Sequence, residues 1–196
     1  MAKKKERAKR SRVARKVSRK KRKEAKAFRA VLAGERVFSS AKEAKDLYSR
    51  SNFGEIIGGK VYYSLVEALY LMESKKIVIY EGSKKLSHEA FIEKARKLEN
   101  NFWTRYSVFK DMRSRGYIVK TALKFGADFR VYERGTKPGK EHAKWILYPV
   151  YEASSLTWHE FAAKNRVAHS TRKNLLIGIV DDEGDVTYYE VRWTRP

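Results

Sequence analysis

The side chains with the most chemical capacity in this chain crowd into one stretch, Phe125-Gly-Ala-Asp-Phe-Arg-Val-Tyr-Glu-Arg-Gly-Thr-Lys-Pro-Gly-Lys-Glu-His-Ala-Lys. The pattern predicts a strand through Asp128 to Tyr132, a loop turning at Gly135, Pro138 and Gly139, and a second strand entered through His142 to Trp145. Tyr132 and His142 then flank one loop, close enough in principle to share a substrate. On spacing alone a structural tyrosine and a structural histidine are the commoner account. A metal-dependent nuclease would use Asp128 with Glu141 and Lys144. That chemistry needs the second acid and the lysine two residues apart, on one face of a strand. Here they are three apart, so His142 and Lys144 share a face and Glu141 points away. His88, His159 and His169 show no zinc-ligand spacing, and the chain has no cysteine. We expect no metal and no cofactor. A third cluster, Ser170-Thr-Arg-Lys-Asn, precedes an apolar run, so Arg172 and Lys173 could meet a phosphate at the start of a strand or could be solvated charges.

These residues need elements to hold them. The sequence predicts strands over 117–123, 127–133, 143–150, 174–180 and 186–193. They are preceded by a helix carrying Phe102, Tyr106, Phe109 and Arg113 that ends near Gly116. Thr157 and Glu160 have capping-box spacing ahead of a helix through Phe161 to Val167. Upstream, a strand over 35–38 leads to a helix through Leu47 and Tyr48, opened by Ser40 and Glu43. Ser64 and Glu67 open an apolar helix to about Met72, Ile77 to Tyr80 form a strand, and Ser87 caps a helix carrying Phe91, Ala95 and Leu98. The fold class is α/β or α+β. A basic disordered tail over 1–27 precedes a small mixed domain of helices and antiparallel strands over 28–98, and an α/β domain follows over 99–196.

The charge is lopsided. Lys and Arg number 45 against 23 Asp and Glu, giving +22, and residues 1–26 hold fifteen of those bases against Glu6 and Glu24. So dense a cation run, with Val13 and Val17 its only larger aliphatics, cannot bury a core and predicts a polyanionic partner. No apolar run reaches the length of a membrane span, and the basic start lacks the apolar segment of a secretion signal. We expect a cytoplasmic protein without a membrane partner.

With these residues in place, the sequence resembles the archaeal tRNA-splicing endonucleases, also called tRNA-intron endonucleases. The likeness lies in Phe125 to Leu147, Thr171 to Val180 and Val186 to Trp193. Phe53-Gly, Leu65-Val-Glu-Ala-Leu-Tyr-Leu and Leu86-Ser add support in the amino-terminal half, so it covers roughly residues 30 to 195. The resemblance implies a nuclease-like carboxy-terminal domain. It places the catalytic tyrosine, histidine and lysine on Tyr132, His142 and Lys173, with all three positions filled as in a catalytic subunit. It implies cleavage of precursor tRNA at both bulges of a bulge-helix-bulge, leaving a 2′,3′-cyclic phosphate and a 5′-hydroxyl without a metal. It further implies that Arg166 or Arg172, with Trp193, lies beside the extruded bulge nucleotides. The acidic turn Asp181-Asp182-Glu183-Gly184-Asp185 would dock into a basic groove of another subunit, in a homotetramer or in a heterotetramer with a structural subunit.

The side chains suit that chemistry. The 2′-oxygen is tethered to the phosphate it attacks, so orientation supplies much of the acceleration. Tyrosine ordinarily titrates near about 10 and needs neighbouring positive charge to act as a base, whereas histidine, near about 6.5, suits protonation of the leaving 5′-oxygen. Lysine supplies a fixed charge for the crowded phosphate. Two other readings stand beside this one. A non-catalytic RNA-binding or RNP assembly protein would explain the tail, and a metal-dependent DNA nuclease would explain the acids. For Trp193 a core or interface role stays open, and the acidic turn could be simply solvated.

Overall fold

A computed structural model of the chain describes residues 27–122, 126–136, 138, 139 and 141–194. The basic tail expected over 1–27 falls almost wholly outside the described residues. The first sheet has six strands: β1 (Phe28–Ala33), β2 (Arg36–Ser39), β3 (Glu55–Ile57), β4 (Lys60–Tyr63), β5 (Ile77–Glu81) and β6 (Lys84–Lys85). Their spatial order is β3-β4-β2-β1-β5-β6, antiparallel throughout except for the parallel pair β1–β5. Helices α1 (Lys42–Ser51), α2 (Leu65–Glu73) and α3 (His88–Leu98) accompany it.

Capping explains two of those helix starts. Ser64 accepts from the Glu67 amide while the Glu67 carboxylate returns to Ser64, and Ser87 accepts from the Ala90 amide. The expected Ser40–Glu43 box is not formed. Helix α1 starts one residue later with Ala41 at its cap, because Ser39 already takes the local role: its hydroxyl donates to Arg29 O and accepts from the Ala41 amide.

Helix α4 (Phe102–Ser114) lies between this unit and the second sheet, formed by β7 (Ile118–Ala122), β8 (Ala127–Tyr132), β9 (Trp145–Tyr151), β10 (Asn174–Val180) and β11 (Val186–Val191). Sequence predicts one apolar face for α4. The structure buries Phe102, Arg105, Tyr106, Val108, Phe109 and Met112, because α4 contacts α2 and α3 on one side and the second sheet on the other. One core cluster therefore runs from Leu32 and Val61 through Phe109 to Phe129 and Leu176. At about 1.5–3 kcal/mol for each fully buried large apolar side chain, this shared core ties the two sheets together.

The second sheet has the order β11-β10-β9-β8-β7, with β9 and β10 parallel and the other pairs antiparallel. The parallel pair needs a crossover, supplied by α5 (Trp158–Ser170), whose Thr157–Glu160 capping box is formed. Among the described residues no helix is long and apolar enough to cross a membrane.

Candidate active site

Register brings the tyrosine and the lysine to one end of the second sheet. Val131 faces Trp145 across β8 and β9, and Trp145 faces Asn174 across β9 and β10. One residue further, Tyr132, Lys144 and Lys173 form a row across three neighbouring strands, with roughly 5 Å between adjacent backbones. The Lys144 amide donates to Val131 O at 2.9 Å and the Asn174 amide to Lys144 O at 3.0 Å, which fixes that row. His142 precedes Lys144 by two residues on the same chain. Tyr132 is buried, Lys173 half-buried and His142 exposed.

Alternation then assigns the face. Ile146 and Leu175 belong to a small apolar cluster with Ala168 of α5. Leu175 lies two residues after Lys173, and Arg130, two residues before Tyr132, is registered with Ile146. Tyr132, Arg130 and Lys173 therefore share the side of the sheet that carries α5.

Lys173 is delivered by the end of α5. The Arg172 amide donates to His169 O and the Lys173 amide to Ala168 O, both at 2.9 Å. This is the two-bond closure of a Schellman motif, with Arg172 at the left-handed position usually held by glycine. Its φ is 55°. The turn throws the Arg172 side chain into solvent and aims the chain into β10. Lys173 Nζ donates to Thr171 O at 2.7 Å, at the negative end of the helix. Burial lowers the Lys173 pKa, and the Arg130 charge lowers it further.

The loop between Tyr132 and His142 is pinned at its base by an ion pair between Glu133 and Lys144, with the Lys144 ammonium 4.6 Å from the Trp145 ring centre. A second clamp lies at the same end of the sheet. One Glu190 oxygen accepts from the Trp145 indole at 2.8 Å, and the other accepts from Asn174 at 3.0 Å and Arg192 at 2.7 Å. Those bonds, the indole's first, hold the Glu190 carboxyl below its ordinary pKa. It links the starts of β9 and β10, which follow His142 and Lys173. Sequence reasoning missed Arg130, Glu133 and Glu190. Period-two alternation from Tyr132 was the available signal for Arg130. The other two depend on pairings too distant in the chain to read.

Of the remaining predicted residues, Trp193 is 55% exposed and its ring packs 4.6 Å from that of His169. A core role is thereby ruled out. Val191 faces Leu175, so Trp193, two residues on, extends the row beyond Lys173. Arg166 and Arg172 are exposed, on α5 and just after it. Asp128 is committed elsewhere. It pairs with Arg105 Nε at 2.8 Å while Arg105 also pairs with Glu99, and burial raises its pKa more than Arg105 lowers it. Among the described residues no group of three or more His, Asp or Glu side chains is placed to hold a metal.

The acidic turn is partly self-satisfied. Asp181 Oδ1 accepts from the Asp185 amide at 2.8 Å, and the Tyr151 hydroxyl donates to Asp182. Glu183 and Asp185 stay exposed.

Comparison with known proteins bears on both halves of the chain. The family model for the N-terminal domain of tRNA intron endonuclease matches residues 28–92, and that for its catalytic C-terminal domain matches residues 102–188. The tRNA-splicing endonuclease of Thermococcus onnurineus is 46% identical over 165 residues, covering 84% of this chain and 95% of the relative. That of Pyrococcus furiosus is 40% identical over 165 residues, with coverages of 84% and 95%. That of Nanoarchaeum equitans is 49% identical over 138 residues, 67% of this chain and 88% of the relative. With both domains matched and identity of this order over nearly the whole length of the relatives, the chain belongs to the archaeal-type tRNA-splicing endonucleases, the tRNA-intron endonuclease family.

Proposed function

We propose that the protein excises introns from precursor tRNA by cutting both bulges of a bulge-helix-bulge, with Tyr132, His142 and Lys173 as its catalytic residues. The supporting observation is the row that sets Tyr132 and Lys173 on one face at one end of the sheet, with His142 entering beside it, in a chain of this family. Tyr132 takes the proton of the 2′-hydroxyl. The freed 2′-oxygen attacks the adjacent phosphorus, the bond from phosphorus to the 5′-oxygen breaks, and His142 protonates that oxygen. The products are a 2′,3′-cyclic phosphate and a 5′-hydroxyl. Lys173 stabilises the phosphoryl oxygens as negative charge gathers on them. Arg130, on the same face, adds positive charge behind Lys173. Trp193 and Arg172, with Arg166 in the last turns of α5, would hold an extruded bulge nucleotide by stacking and charge.

The active form is a tetramer, either of this chain alone or with a structural subunit, in which Asp181, Asp182, Glu183 and Asp185 dock on a basic surface of a neighbour. Two separated sites then match two bulges, so the assembly measures RNA shape. The protein works in the cytoplasm, a reading supported by its likeness to archaeal enzymes.

Single-turnover cleavage of a bulge-helix-bulge RNA in excess EDTA, with analysis of the product ends, tests the chemistry. Cutting to a cyclic phosphate is expected, and a 2′-deoxy substitution at the scissile position should abolish it while leaving binding intact. His142→Ala should slow the normal substrate and recover when the leaving 5′-oxygen is replaced by sulfur, which needs less protonation. A 3′-hydroxyl product, or cutting at the deoxy position, overturns the mechanism.

A further inference from the structure

The first sheet has one face turned to α1 and α2 and another that neither core cluster includes. Alternation sends Ala30, Leu32, Val37, Val61, Ile77 and Ile79 inward to the core. The opposite side chains form a row in unbroken register across all six strands: Glu55, Tyr62, Phe38, Val31, Tyr80 and Lys85. Phe38, Tyr62 and Tyr80 are half-buried there, so their edges are fixed by the sheet while ring surface stays open. The Phe38 and Tyr62 rings lie 5.6 Å apart and are tilted by 34°.

Cations flank the rings. Arg29 lies 4.4 Å from the Tyr80 ring centre, and Lys60 lies 4.9 Å from that of Phe38. Register puts Arg36, opposite Ala33, on the same face. Four cations, Arg29, Arg36, Lys60 and Lys85, therefore stand on the face against one acid, Glu55. The fifteen bases of residues 1–26 lead into β1 at Phe28, beside Arg29, so the densest positive charge in the chain is attached to this sheet.

From this arrangement we infer that the outer face of the amino-terminal sheet is a second RNA site, a stacking platform for unpaired nucleotides separate from the catalytic end of the other sheet. Rings on an open sheet surface give bases a flat apolar partner, and the surrounding cations match the phosphates between them. An apolar protein partner would not need the excess of cations. The inference rests on the reading that the substrate is RNA. It adds that unpaired segments of the precursor, outside the cleaved bulges, are held by the amino-terminal domain.

The test uses the full chain and two labelled probes, a single-stranded oligoadenylate decamer and an abasic ribose phosphate chain of equal length, with binding followed by fluorescence anisotropy. The tail attracts both probes by charge, so the ratio of their affinities isolates stacking. The parent should bind the adenylate at least about tenfold more tightly. The triple variant Phe38→Leu, Tyr62→Leu, Tyr80→Leu, which keeps apolar bulk, should lose most of that preference and keep only the part that Trp193 at the other sheet supplies. It should also cut a minimal bulge-helix-bulge RNA at the parental saturated rate. A 4-thiouridine decamer should photo-cross-link to residues 36–39, 60–63 or 77–81 of the unaltered protein, a measurement that needs no variant to fold. Equal affinities in the parent, or cross-links confined to the other sheet, overturn the inference. So does a triple variant that changes mass in solution with its base preference intact, which would make the face a contact between copies. Loss of base preference in a protein that never cuts the minimal RNA would leave the platform standing and remove the catalytic reading.

Discussion

Arg172 shows how a single backbone angle serves the site. Its φ of 55° costs a non-glycine residue about 1 kcal/mol, yet that angle closes α5 and starts β10 at Lys173. Glycine would meet the angle at no cost, so arginine is favoured here only by what its exposed side chain does. Arg172→Gly should therefore raise thermal stability by about 1 kcal/mol. It should also weaken binding of bulge-containing RNA, because the cation beside Lys173 is gone. Calorimetry and an RNA titration on the same preparation check both halves. A variant that is less stable, or one that binds RNA as well as the parent, contradicts this account.

At the scale of elements, the junction of the two sheets is held by a small buried network. The Glu67 carboxylate accepts from the Gly54 amide at 2.9 Å and from the Ser64 amide at 3.1 Å, while Lys120 of β7 reaches across to donate to Gly54 O. Arg113 of α4 donates to Ser51 O at 2.9 Å and sits 3.9 Å from the Phe53 ring centre. Gly54 has φ +74°, and a Cβ there would meet Tyr62 O at 2.6 Å and Val61 Cγ1 at 2.7 Å. Gly54→Ala should thus destabilise the fold by about 2 kcal/mol or more, since strain and a backbone clash act together. Denaturant unfolding monitored by tryptophan fluorescence reads the loss, and a midpoint within error of the parent would refute it. The helix starts at Ser64, Ser87 and Thr157 were legible in the sequence because a cap and its partner lie within three residues. The Ser40 box was misread because Ser39, tied to Arg29 across a hairpin, sets the entry. Strands β1, β3, β4 and β6 went unread. Three of them have only two to four residues, and β1 directly follows the cation run. The proposed catalytic trio came from resemblance to a family, since only the register of β8, β9 and β10 places Tyr132 level with Lys173. The Glu190 clamp, forty-five residues from Trp145, left no local trace.

For the molecule as a whole, charge is the variable that decides assembly and RNA affinity, and the acidic turn and the basic tail carry opposite ends of it. Asp181 holds the turn together through the Asp185 amide, so reversing it would confound folding with docking. Glu183→Lys with Asp185→Lys leaves in place both that bond, which uses the Asp185 backbone amide, and the one from the Tyr151 hydroxyl to Asp182. If the turn docks on a basic surface, this pair should shift native mass spectra towards smaller species than the parent forms at the same concentration. An unchanged assembly on dilution would mark the turn as merely solvated. The tail acts on a different quantity. Each phosphate a cation neutralises releases a counterion, so affinity falls with salt at a slope set by the number of contacts. With fifteen bases against two acids, residues 1–26 carry +13 of the net +22, more than the rest of the chain together. Deleting them should flatten the plot of log affinity against log salt by several units and weaken binding most at low salt. Among the described residues the first element is β1, after the deleted segment, and the proposed catalytic residues lie more than a hundred positions further on. Single-turnover cleavage at saturating RNA should therefore match the full chain. Filter binding across a salt series, with the saturated rate measured on the same protein, separates the two effects. A large fall in that rate with the assembly intact would show that the tail does more than gather RNA.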